Sequence, residues 1–338
     1  MTGTGRSSVC FGVIMASAGL LLLLPGRGGL AQETGRPDRH GQHVRQHGSQ
    51  TGDQPAAQPA PQHAGSAGRE LSRVVIAHHP GAHDGSAGRD DVHLYAEPVR
   101  MMVDEAVKAF TGCDSVAEAW EQIIPDPARK VAIKINCQIS GIFTKAKVVG
   151  PITDGLIARG VPPDNIIIYD RHSTGFSYAG FVRNPSGPGV RVGVLSLGDF
   201  GGYSSHPEMY QIAKLLIDES GDYDCDYLIN VPVCKALDGY SGVTMSLKNH
   251  YGTCTPRHND IHNEICLTNR LGPIREKTRL VVLDACYCEY KWYNGRDQTW
   301  VDVVNKVIVS DDPVAVDYHG WQIIAGLREA HEYPPVVP

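Results

Sequence analysis

“KVAIKIN” (130–136) and “NIIIYD” (165–170) stand on either side of “GPITDGLIARG” (150–160). The outer two are short runs rich in isoleucine and valine. The second is nearly continuous in apolar residues, as a strand buried on both faces is. The middle one has helical spacing and closes on Gly160, a residue suited to the left-handed position that ends a helix. Strand, helix and strand in this order predict a mostly parallel sheet covered by helices.

The alternation continues in both directions. “RVVIAHH” (73–79) reads as a strand. “AEPVRMMVDEAVKAF” (96–110) reads as a helix, with Val99, Met102, Val103, Ala106, Val107 and Phe110 on one face. “VRVGVLSL” (190–197), “DYLINVPV” (226–233) and “RLVVLDA” (279–285) read as strands, and “HPEMYQIAKLLIDE” (206–219) as a helix. “KVIVSDD” (306–312) leads into the helix “PVAVDYHGWQIIAGL” (313–327), with Pro313 at its first turn. The expected fold is α/β and doubly wound over residues 71–338. Polar insertions interrupt it at 171–205 and 237–278.

The N-terminus has a different character. Arg6 precedes the apolar run “VCFGVIMASAGLLLLLPG”, and “GLA” at 29–31 supplies small residues. This is the pattern of a secretory signal peptide over residues 1–31, cleaved after Ala31. Without a twin arginine, it predicts the general secretion route to a periplasmic or extracellular location. Residues 32–70 are rich in Gln, Gly, His, Pro and Arg. They carry almost no large apolar side chains to offset ordering entropy, and are expected to form a flexible tether. No later stretch is apolar enough to span a membrane once the signal is removed. The net charge of −6 gives no basis for a nucleic-acid groove.

Eight cysteines lie beyond the signal peptide, a number that permits disulfides in an exported chain. Their spacing contains no CxxC pair and no ferredoxin-like run, so no iron–sulfur cluster is expected. Cys286 and Cys288 read as partners of distant cysteines sooner than as a metal pair.

A parallel sheet gathers ligand groups at the carboxyl ends of its strands. Here those ends are polar. Lys134 and Asn136 close one strand. Asp170, Arg171 and His172 close the next. Lys235 follows the strand that ends at Pro232, Asp284 lies on the strand starting at 279, and Asp312 follows the last. Asp312 also suits the cap of the helix after it. The segment “GVTMSLKNHYGT” (242–253) reads as a short helix. Amides near Gly242 and Thr244 at its start would hold an anion, with Lys248 and Asn249 further in. His258 and His262 are four apart, which suits a metal-ligand pair, though an exposed loop fits them better, since surface histidines are common.

“KVAIKINC”, “IIIYDRH”, “YLINVPVCKALDGYSGVTMSLKNHYGT”, “RLVVLDA” and “SDDPVAVDYHGWQII” occur in the order and spacing of the domain of unknown function 362 family, which the chain resembles over roughly residues 73–328. The resemblance implies Lys134, Asn136, Asp170, Lys235, Gly242, Thr244, Lys248, Asn249, Asp284, Asp312 and Asp317 as characteristic polar positions. It implies no particular reaction. Some members carry ferredoxin-like cysteine runs, and this chain departs from them.

Three functions compete. The first is an enzyme acting on a small anion, with Lys235, Lys248, Asp284 and His250 as its catalytic groups. In that reading Lys134, Asn136, Asp170, Gly242, Thr244, Asn249 and Asp312 bind the ligand. The second is a non-catalytic protein holding a divalent metal or cofactor. The third is a structural module.

Overall fold

The structure, a computed structural model, describes residues 10–16, 72–138, 141–217, 223–255, 261–292 and 297–336. Apart from Cys10–Ala16, the expected signal peptide and tether fall outside the described residues. The chain first appears as β1 (Cys10–Ala16), antiparallel to β2 (Ser72–His78). The helices α1 (Ala96–Thr111) and α2 (Val116–Ile123) follow. A capping box starts α2: the Ser115 hydroxyl accepts from the Glu118 amide, and the Glu118 carboxylate accepts from the Ser115 amide.

The opening trio of segments folds as read, giving β3 (Val131–Lys134), α3 (Ala146–Arg159) and β4 (Ile166–Asp170). Gly160 ends α3 at φ +104°. Next come α4 (Phe176–Ala179), β5 (Arg191–Val194), and the short strands β6 (Tyr203–Ser205) and β7 (Gln211–Ala213). The strands β8 (Tyr227–Asn230), β9 (Val233–Leu237) and β10 (Gly242–Val243) lead to α5 (Ser246–Asn249) and β11 (Cys254–Thr255). The chain closes with α6 (Ile261–Arg270), α7 (Gly272–Arg275), β12 (Thr278–Glu289), β13 (Val301–Ser310) and α8 (Pro313–Ala330).

The main sheet runs β1-β2-β13-β12-β8-β3-β4-β5, with β9 paired to β12 and β10 paired to β9. Alternate residues of each strand feed opposite faces. Val131, Ile133, Ile166, Ile168, Val307 and Val309 join the core beneath α1, α2 and α3. Leu283 and Ile308 pack under α8, and Ile167, Tyr169 and Leu228 under the small sheet and α7.

Three expectations change. The sheet is mixed. The strands β2, β12, β8, β3, β4 and β5 are parallel, but β13 lies antiparallel between β2 and β12, so the doubly wound reading holds only as α/β with a mostly parallel sheet. The carboxyl end of β13, and Asp312 with it, therefore faces the opposite rim. Residues 206–217 form β7 and a 3₁₀ turn where a helix was expected. There β7 pairs with β6 and β11 in a separate three-stranded sheet. Met209, Ile212, Leu215 and Leu216 are all buried there. Spacing of three imitates a helix, and strand pairing decides against it.

Candidate functional site

In chain order the parallel strands step outward from β3 to β4 and β5, then return to β8 and β12 on the other side of β3. The reversal falls between β3 and β8, and a crevice opens beyond the strand ends at such a switch point. A cavity of about 400 Å³ occupies this place, within the range of small-molecule sites.

At its floor, Lys134 ends β3 in register with Asn230 on one side and Tyr169 on the other. Its ammonium is almost fully buried. It donates to Asp170 Oδ1 at 2.6 Å, to Asn249 Oδ1 at 3.2 Å and to the Ile135 carbonyl. An ammonium has three donors, so Lys134 is fully satisfied and organises the floor. Asp170 also accepts from the amides of Cys137 (2.5 Å) and Arg171 (2.7 Å). Gly252 presses on this pair: a Cβ there would meet Lys134 Cε at 2.7 Å and Asp170 Oδ1 at 2.8 Å.

Asn249 is the hub. Its carbonyl accepts from Lys134 and Asn136, and its amide donates to Asn230 Oδ1 at 2.8 Å. The short helix α5 presents it, anchored at its start by Asp317 of α8. That carboxylate accepts from the amides of Ser246 (2.7 Å) and Leu247 (3.0 Å) and from the Ser246 hydroxyl. Burial pushes Asp317 up to about 6, against the pull of these hydrogen bonds. Both amides serve Asp317, and the stretch read as an anion cradle pairs with β9 instead: Gly242 and Val243 lie opposite Leu237 and Ala236, and the Thr244 amide donates to the Lys235 carbonyl at 3.0 Å.

The remaining cations are less committed. Lys235 Nζ donates to Asn136 Oδ1 at 2.7 Å, its only hydrogen bond among the described residues. Burial lowers it to about 8; Glu289, its register partner on β12, opposes the shift, and Lys248 adds to it. The Lys248 ammonium has neither a hydrogen bond nor an ion pair among the described residues. Its ammonium lies 4.7 Å from the centre of the Tyr251 ring, and burial lowers it to about 8. The Arg171 side chain likewise has no ion pair among the described residues. The lining carries four cations, Lys134, Arg171, Lys235 and Lys248, against one carboxylate, Asp170. Burial, with the Arg171 charge adding to it, lowers His172 below its ordinary value.

Of the residues singled out from sequence, Lys134, Asn136, Asp170, Lys235, Thr244, Lys248 and Asn249 line this cavity. Others lie elsewhere. Asp284 is buried, accepting from the amides of Lys145 (2.8 Å) and Cys286 (3.0 Å). His250 is buried beside Thr253 Oγ1 at 3.1 Å, and burial lowers it to about 3, so it is neutral. Gly242 belongs to β10, and Asp312 caps α8 by accepting from the amides of Val314 and Ala315. His258 and the His262 side chain are outside the described residues. Among the described residues no three His, Cys, Asp or Glu come together as a metal site.

The cavity also includes Gln138, Leu237, Tyr251 and Trp292, which sequence reasoning did not select. Trp292 was missed because β12 was read as ending at 285. It runs to Glu289, and the strand-end rule applied there reaches Trp292.

Fold and site together define an α/β protein with a cationic cavity at the switch point of its sheet. The sequence profile described as domain of unknown function (DUF362) matches residues 131–322, more than half of the chain, and the chain belongs to that family. That match holds every lining residue of the cavity. No curated protein matches the chain.

Proposed function

We propose that the protein is an enzyme acting on a small anion, a carboxylate or phosphate compound, bound in the switch-point cavity. The observation that carries this is the excess of cations over carboxylates in a space of about 400 Å³. Withdrawing unpaired charge even partly from water is unfavourable, and sites that do so are commonly functional. Lys248 and Arg171 have no carboxylate of their own, and a bound anion would supply one.

Two groups near pH 8 give the site a choice of protonation state. As an ammonium, Lys235 or Lys248 polarises an anionic or carbonyl oxygen. As an amine, either one accepts a proton. Thr244 and Asn136 add neutral donors for orientation. We further infer that the chain is exported, on the pattern of residues 1–31. Mass spectrometry of the secreted form would then show Gln32 as its first residue.

Thermal unfolding with inorganic phosphate, sulfate and small dicarboxylates tests the binding. A saturable rise in midpoint is expected for at least one anion, corresponding to about 2.7 kcal/mol of added stability at a hundredfold excess over Kd. Lys248→Met should remove it. No rise with any anion, or a rise unchanged in Lys248→Met, would overturn the reading.

A further inference from the structure

We propose that Cys234 and Cys288 form a disulfide that ties β9 to β12 directly beside the cavity. The two are register partners on neighbouring parallel strands. Neighbouring strands lie about 4.8 Å apart, inside the Cα separations that disulfides span. Their sulfurs are already 3.2 Å apart. Closing to bonding distance needs a movement of about 1 Å. No other two thiols are in hydrogen-bond contact among the described residues. The next residues, Lys235 and Glu289, are register partners too. The bond would therefore fix the strand that delivers Lys235 against the strand that carries its acidic neighbour.

Each thiol loses a proton, and the pair passes two electrons to an external disulfide. With oxidised glutathione, one Cys sulfur first forms a mixed disulfide, releasing one reduced glutathione. The other Cys sulfur then displaces the second. Both side chains are wholly buried, and burial together with the Cys234 contact pushes the Cys288 thiol well up. Thiolate is the attacking species, so the exchange belongs to folding, before β9 settles on β12. The leader read at residues 1–31 directs the chain to a compartment where such bonds persist.

The test is to refold the full chain from urea in a glutathione redox buffer, block free thiols with iodoacetamide in denaturant, and map the peptides. The expected result is a cross-linked peptide pair containing Cys234 and Cys288, two fewer alkylated cysteines than the nine in the chain, and a thermal midpoint that falls with reductant. Folded, fully reduced protein placed in the same buffer should stay reduced. Cys234→Ala and Cys288→Ala should each abolish the link and the reductant sensitivity. Full alkylation after oxidative refolding, or a link between other cysteines, would overturn the proposal. Mapping of the parent chain decides even where an alanine variant does not fold. None of these readouts involves anion binding, so this proposal stands or falls apart from the functional one.

Discussion

Lys248→Met should make the protein more stable at neutral pH while removing its anion response. Lys248 titrates at about 8 in the folded chain against an ordinary value of 10.5, because burial strips water from its ammonium. That separation corresponds to about 3 kcal/mol of unfavourable free energy for the charged form. The unfolded chain binds more protons between pH 8 and 10.5, so this contribution makes stability rise with pH across that window. Below pH 8 both states are protonated and the penalty is full. Above 10.5 it is gone. Methionine keeps an unbranched apolar stem for the Tyr251 ring and carries no charge.

The lost ring contact offsets part of the gain, leaving about 1–3 kcal/mol in favour of the variant at pH 7. Urea unfolding at pH 7 and pH 10, with and without phosphate, measures it. The advantage of the variant should shrink at pH 10, where the parent regains stability, and phosphate should stabilise the parent alone. A variant less stable than the parent at pH 7, or an advantage independent of pH, would refute the argument that Lys248 is a partly buried charge without an ionic partner.

Asp170→Asn leaves the Lys134 ammonium buried without its anion and should cost about 3–5 kcal/mol in urea unfolding, with loss of the anion response. Gly252→Ala places a methyl against Lys134 and Asp170 and should cost about 1–3 kcal/mol, read as a lower thermal midpoint. For His250, lowered by burial to about 3 from 6.5, the unfolded chain binds the extra proton between those values, so stability is lost as pH falls below 6.5. His250→Gln should remove about 3 kcal/mol of the parent's loss between pH 7 and pH 4, measured by urea midpoints at the two values.

Sequence alone determined the α/β class, because buried parallel strands need near-continuous apolar runs and the helices between them need a 3.6-residue period. It also determined much of the floor of the site. Lys134, Asn136 and Asp170 could be placed at one rim because each lies at the end of a run whose direction the βαβ order dictates. Lys248 and Asn249 drew notice in a run of consecutive polar residues that is poor material for a core.

Strand order and direction were a matter for tertiary structure. No local pattern distinguishes β13 from a parallel strand, and its reversal carries Asp312 to the far rim as a helix cap. Neither did spacing show that the α5 amides are taken by Asp317, a carboxylate 71 residues from Ser246. His250 shares a segment with Lys248, yet its ring turns into the core, because a four-residue helix presents only part of its circumference to the cavity. Side-chain chemistry is written in the chain. Which groups meet across a sheet depends on long-range pairing, whose register and direction are settled only when the whole core closes.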